Sequence, residues 1–367
     1  MSTENFADFA EQCRRKIEDF EKTTVRCGII GVTGSGKSTL LNAIAGEKIA
    51  EPGVVEQTND PQDYQHGGII FTDLPGCGSQ KWPRESYVER LGLLGYDCFL
   101  IVTFNRFVDH DISLFKELTA HGKKCFIIRN KFDLDVDNGK HDKKLSELDV
   151  REIILNNIRE NLGDSCPEKI YLTSGRHPTK YDLPELLLDI AESLKGLKQQ
   201  RFTADMATLS RETLQKKSDF LRGRIPYYAG LSAANGLNPI PGLDVAADIG
   251  ILIQFGKEVL HAYGLSGEQF EFIKRYLDAD KIPVLLTKVA QFSAKYLAKE
   301  GIIQLLKAIA GRTVAKNAGK WIPFVGPLIA AGIGWQSTFM LAEDLVQEGE
   351  NLAREILDEI IKNSVVG

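Results

Sequence analysis

The pattern of apolar and polar positions divides the chain into three stretches of different texture. Over residues 4–22, Phe6, Phe9, Ala10, Cys13, Ile17 and Phe20 fall on one helical face, with Arg14, Arg15, Glu18 and Asp19 elsewhere. That spacing predicts an amphipathic helix whose apolar face needs a partner, expected in the C-terminal half. From 25 to about 195, short apolar runs alternate with helical patterns. Strands are predicted at the run beginning with Val25 and at Gly68–Thr72, Cys98–Phe104, Lys124–Arg129 and Ile170–Thr173. Helices are predicted after the first strand (Leu40, Leu41, Ile44) and near 85–94, 110–121, 145–162 and 184–195; 47–68 reads as loop. Such alternation predicts an α/β domain, a mainly parallel sheet with helices on both faces.

After about 196 the strand pattern stops. Gly196–Arg222 reads as a polar amphipathic helix and Asp244–Gly264 as an apolar one, with further helices near 267–277, 284–299, 301–316 and 337–362. The expected organisation is a helix over 1–24 packing with an all-α domain at 197–367, and an α/β domain over 25–196. Trp321–Ala342 carries no charge and is long enough in principle to span a bilayer. Pro323, Pro327 and the polar Gln336, Ser337 and Thr338 favour a buried helix–turn–helix instead.

Composition adds limits. A length of 367 residues suits two domains, and 45 basic against 50 acidic residues, a net charge of −5, gives no support for nucleic acid as a partner. The six cysteines form no C-x-x-C pair, which suggests a reduced, cytoplasmic compartment. The polar first residues show no secretory signal, and Ser2 excludes the N-myristoylation pattern.

The chemistry begins at Gly31, where the first strand runs into Gly-x-x-x-x-Gly-Lys-Ser and then a helix. In the loop Gly34-Ser35-Gly36-Lys37-Ser38-Thr39, the glycines let successive N–H groups point at an anion, and the helix N-terminus adds partial positive charge. Lys37 would reach β- and γ-phosphates, and the Ser38 hydroxyl would bind Mg²⁺. Asp73-Leu-Pro-Gly76 follows the next strand: the carboxylate suits Mg²⁺, and the Gly76 N–H suits the γ-phosphate. Asn130-Lys131-Phe-Asp133 follows another. The Asp133 carboxylate can accept from both N1–H and the exocyclic amine of guanine, a donor pair adenine lacks, which disfavours an ATPase or kinase. The Lys131 stem can lie along the base, and Ser174-Gly175 can offer an N–H to the guanine carbonyl. Thr58, in Gly53-Val-Val-Glu-Gln-Thr58, is the candidate to close on Mg²⁺ and γ-phosphate. Cys77 stands where Ras-like GTPases place the glutamine that orients water; a thiol is a poor substitute, and the residue reads as small and tolerated.

With these motifs, the chain resembles the immunity-related (interferon-inducible) GTPases, relatives of the dynamin-like group. The phosphate loop, GVVEQT, DLPGCGS with Tyr87, Tyr96-Asp97, Asn105-Arg106-Phe107, Asn130–Asp133 and Tyr181-Asp182-Leu-Pro184 carry the likeness. It continues in Asn238–Asp244 and Pro323-Phe-Val-Gly-Pro, and so covers nearly the whole chain. The resemblance implies a Ras-like domain set between an N-terminal helix and a helical domain. It also implies GTP-dependent self-association through the nucleotide faces, action on intracellular membranes and a part in cell-autonomous defence. It assigns hydrolysis to the switch glutamate Glu56 and a dimer contact to Arg106. Departures are Val32 for a common glutamate, Asn130 for threonine, Gly175 for asparagine, and Val108-Asp109 for a basic pair. Turnover is then expected to be slow alone and faster on self-association; the alternative is a GTP-gated scaffold that barely hydrolyses. Arg312, Lys316 and Lys320 recur every four residues beside apolar side chains, a candidate stripe for peripheral contact with anionic lipid, although a solvated helix face fits the same spacing.

Overall fold

The computed structural model describes residues 3–51, 60–78, 80–105, 109–235, 243–317 and 327–366. The chain begins with helix α1 (Thr3–Lys22) and then alternates β1 (Val25–Ile30), α2 (Lys37–Ala45), β2 (Gln62–His66), β3 (Ile69–Asp73) and α3 (Arg84–Arg90). It continues through β4 (Cys98–Thr103), α4 (Asp109–Ala120), β5 (Lys124–Arg129), α5 (Phe132–Lys143), α6 (Glu147–Leu162), β6 (Ile170–Leu172), α7 (Leu183–Ser193) and α8 (Leu197–Asp205). The remainder is helical: α9 (Arg211–Asn235), α10 (Leu243–Ala262), α11 (Gly267–Ile273), α12 (Ile282–Tyr296), α13 (Lys299–Asn317) and α14 (Pro327–Val366).

Two compact units result. The first, chiefly Thr23–Thr213, holds a six-stranded sheet in the order β2-β3-β1-β4-β5-β6, antiparallel only between β2 and β3. β4 and, apart from the exposed Arg26, β1 are apolar on both faces. Val25, Cys27 and Ile29 of β1 and Cys98, Leu100 and Val102 of β4 join one core, while Ile30, Phe99 and Ile101 join the other. Each fully buried aliphatic or aromatic side chain contributes about 1.5–3 kcal/mol. Cys27 and Cys98, partners in register, lie with their sulfurs 3.3 Å apart as free thiols.

Two elements of this unit were not predicted. β2 is an edge strand, Gln-Asp-Tyr-Gln-His, in which the buried His66 and half-buried Tyr64 alternate with exposed polar residues. α5 is too polar to display a hydrophobic face, yet Phe132 and Val136, one turn apart, are buried.

The boundary expected at 196 falls instead between Thr213 and Leu214. The predicted single helix over 196–222 breaks after α8 because Phe202, Met206, Ala207 and Leu209 belong to the sheet core. Ala207 N–H donates to Ile44 O at 2.8 Å, and Gly68 N–H donates to the Asp205 carboxylate at 2.7 Å. A fresh cap then starts α9, where Ser210 Oγ accepts from Thr213 N–H at 3.2 Å and Thr213 Oγ1 accepts in return from Ser210 N–H at 2.9 Å.

The second unit comprises Met1–Lys22, Leu214–Phe270 and Leu277–Glu359. Ala10, Cys13, Ile17 and Phe20 of α1 are buried as predicted, and Phe20 meets Phe220 with ring centroids 5.2 Å apart. Phe9 remains 39% exposed at the rim. Arg224, 2% exposed, forks onto Glu258 at 2.7 and 3.2 Å and lies 4.2 Å from the Phe20 ring centroid. Of the segment 321–342 expected to form a helix–turn–helix, residues 321–326 lie outside the described residues; from Pro327 onward the chain is the single helix α14, whose first turn tolerates proline. There Trp335 and Met340 are exposed, while Thr338 is buried against Ser232. Among the described residues no helix is long and apolar enough to cross a membrane.

Candidate functional site

The site is built at the C-terminal ends of β1, β3, β5 and β6. Between β1 and α2 the loop turns through Gly36, with φ 85° and ψ 25°, a left-handed conformation. A Cβ there would lie 2.6 Å from the Asn130 amide nitrogen, so both backbone and neighbour require glycine. No side chain caps α2, leaving its first amides for a ligand. Lys37 Nζ donates to Gly31 O at 2.8 Å and stands 3.6 Å from Asp73 Oδ1. Asp73, 8% exposed, ends β3.

On the other side, Asn130 follows β5 and is 1% exposed. Its amide donates to Ser35 O at 3.0 Å and Gly36 O at 3.2 Å, and its carbonyl accepts from Thr173 Oγ1 at 3.3 Å. One side chain thus ties the phosphate loop to the ends of β5 and β6. Lys131 adopts φ 61°, and its ammonium lies 4.8 Å from the Phe104 ring centroid. Phe132 N–H donates to Thr173 O at 3.0 Å, which sets Asp133 in the first turn of α5. Ser174 Oγ accepts from the N–H groups of Arg176 and His177 at 3.2 and 3.3 Å, closing the last loop. Gly175 passes so near α2 that a Cβ would sit 3.0 Å from Thr39.

These pieces enclose one cleft of about 280 Å³. Gly34, Gly36, Lys37, Ser38 and Thr39 line it together with Asp73, Asn130, Lys131, Asp133, Ser174 and Gly175. The Ser38 hydroxyl and Asp73 carboxylate in the same cleft are hard oxygen donors of the kind Mg²⁺ takes, so the residues present fit that metal.

Two expected residues stand apart. Ser35 is fully buried, so its side chain does not face the cleft and its carbonyl serves Asn130. Gly76 is exposed and outside the lining, because the turn after Asp73 is fastened on the α3 side, where Tyr87 Oη donates to Pro75 O at 2.5 Å. Glu56, Thr58 and Arg106 lie outside the described residues, as do Lys320 and the side chains of Arg312 and Lys316.

Sequence reasoning missed Glu51, Gln62, Tyr64 and Arg176, which also line the cleft. Tyr64 and Gln62 arrive with the unpredicted β2; Arg176 directly follows Ser174-Gly175, and that adjacency was the available signal. Arg129 was missed too: 8% exposed, it forks onto Asp135 at 2.7 and 2.9 Å and donates to Asn105 O, bracing β5 beneath the site. Cys77, after Gly76, packs against the helix-side core, and burial pushes its thiol up to about 11. It is therefore a neutral thiol at physiological pH.

A model of the interferon-inducible GTPase (IIGP) family matches residues 1–316. Interferon-inducible GTPase 5 of Rattus norvegicus is 27% identical over 354 residues, covering 92% of this chain and 76% of the relative. Interferon-inducible GTPase 1 of Mus musculus is 30% identical over 294 residues, covering 75% and 70%. Among solved structures, the FeoB G-domain of Methanococcus jannaschii is 22% identical, covers 47% of this chain and 98% of its own, and has a TM-score of 0.29.

Proposed function

The chain belongs to the interferon-inducible GTPase family, and from that premise we propose that its cleft binds GTP and GDP with Mg²⁺ and hydrolyses GTP slowly. Self-association through the nucleotide face would accelerate turnover. The observation that carries this reading is that Lys37, Asp73 and Asp133 line one cleft.

The amides at the start of α2 and Lys37 bind and orient the phosphates. Asp133 selects guanine by accepting from N1–H and the exocyclic amine, with Lys131 along the base. Ser38, Asp73 and Thr58 are the residues that would hold Mg²⁺. Bound there, the metal supplies positive charge to the β- and γ-phosphate oxygens. Glu56 is the candidate to act on the attacking water, with Gly76 offering an N–H to the γ-phosphate once the turn has moved. Arg106 is the candidate contact between copies. By the same family membership, we assign the protein to cell-autonomous, interferon-linked immunity, with peripheral contact of intracellular membranes through the face bearing Arg312, Lys316 and Lys320.

One observation favours a second reading, a GTP-gated scaffold with little hydrolysis: the group after Gly76 is a neutral, half-buried thiol that cannot orient water well. Calorimetric titration with GTP, GDP and ATP tests the shared core of both readings. Tight binding of GDP and GTP with none of ATP is expected; equal binding of ATP overturns the guanine assignment.

A further inference from the structure

Helix α6 meets the segments beside the cleft through apolar side chains, Val150 sharing a core with Phe132 and Leu172, and through one charged side chain, Arg151. Arg151 forks onto Asp182, with nitrogen–oxygen distances of 2.9 and 2.7 Å. The same carboxylate accepts from Leu172 N–H at 2.8 Å, and Asp182 N–H donates back to Leu172 O at 3.0 Å, so Asp182 is locked to the end of β6. Its neighbour Tyr181 holds φ 67°, a left-handed conformation that a bulky residue rarely adopts. That places the Tyr181 ring edge-on to Phe132, with centroids 4.9 Å apart at 80°. The Arg151 guanidinium lies 5.6 Å from the centroid of the same Phe132 ring.

Phe132 is fully buried between Lys131 and Asp133. Arg151 therefore grips two things at once, the chain leaving Ser174-Gly175 and the residue next to Asp133. Partly exposed ion pairs ordinarily contribute little stability, and the Arg151–Asp182 pair is 28% and 14% exposed. Holding a non-glycine residue in the left-handed region costs energy, and such strain collects where geometry must be fixed for a ligand.

We propose that Arg151 is a positioning residue for guanine recognition, clamping the Asp182–Tyr181 and Phe132 segments so that Asp133 and the Ser174-Gly175 loop face the base together. The inference rests on the reading of the cleft as a guanine nucleotide site. It predicts that the clamp governs which base is accepted more than how phosphates are held.

The test compares GDP with inosine diphosphate, whose base lacks the exocyclic amine and so forfeits one of the two hydrogen bonds to Asp133. The ratio of the two dissociation constants reports how well Asp133 is aimed. Wild type should prefer GDP by about tenfold or more. Arg151→Ala should cut that preference to about two- to threefold, through loss of GDP affinity in particular. Arg151→Lys, which keeps the charge without the fork, should fall between them. A general loss of structure would weaken both ligands alike and leave the ratio unchanged. Should Arg151→Ala show no cooperative thermal transition, the ratios for Arg151→Lys and Asp182→Asn decide. Folded variants with the wild-type ratio overturn the clamp; a wild type that binds neither diphosphate overturns the underlying reading of the cleft, and the clamp with it.

Discussion

The ammonium of Lys37 stands 3.6 Å from the carboxylate of Asp73, each side chain only 11% exposed. The two charges face one another across the place where phosphate and metal are proposed to enter. A phosphate would draw Lys37, and Mg²⁺ would draw Asp73, so ligand binding replaces one ion pair by two. Lys37→Ala is therefore expected to weaken GTP and GDP binding by roughly tenfold to a hundredfold, the worth of a charge-assisted hydrogen bond in a sheltered site. Titration with a fluorescent guanine nucleotide measures it, and undiminished affinity would remove Lys37 from the phosphate site.

Base choice should reside in Asp133. Asp133→Asn replaces an acceptor pair by an amide that can donate to a carbonyl at the position of the guanine amine. GTP affinity is expected to drop about a hundredfold or more, and xanthosine triphosphate to become a ligand. Competition between the two triphosphates checks this; a variant that still prefers GTP contradicts it.

Asn130 carries a structural load as well. Its amide is the donor to the carbonyls of Ser35 and Gly36, and Asn130→Ala deprives the phosphate loop of both bonds. A loss of about 1–3 kcal/mol in unfolding free energy is expected, together with weaker nucleotide binding. Urea denaturation of the nucleotide-free protein isolates the first effect; an unchanged midpoint means the stitch is not worth what its burial suggests.

The sheet was legible wherever apolar residues are packed on both faces, as in β4 and over Phe126–Ile128 of β5, because each residue there announces its burial. The phosphate loop, Asp73, Asn130 and Asp133 were legible because chemistry fixes both residue type and spacing. β2 and α5 were not, since each shows the core only a few side chains, Tyr64 and His66 in one and Phe132 and Val136 in the other. The break at 206–210 was equally hidden: Phe202 and Met206 pass for a helical face in sequence and show their allegiance to the sheet only in space. Cleft residues such as Glu51 and Gln62 were missed because polar side chains beside a loop carry no pattern of their own.

Stability should fall at alkaline pH for a reason visible in the thiols. Burial pushes Cys77 up to about 11 and Cys125 up to about 12 from an ordinary value of 9.0. The folded chain keeps these protons when the unfolded chain has shed them. Their contribution is complete below pH 9 and is lost as pH rises through about 11 and 12. Urea midpoints are expected to decline from pH 9 upward, and alkylation of Cys77 at pH 8 to be slow beside a free thiol. A flat midpoint or rapid alkylation would show that burial does not hold the proton.

The most direct measurement is GTP turnover per molecule across a series of protein concentrations, with Glu56→Ala alongside. Specific activity that climbs with concentration and collapses in Glu56→Ala is the predicted result, since catalysis is then completed between copies. Activity that stays flat and near background while GTP still binds would contradict it, and leave a nucleotide-gated scaffold.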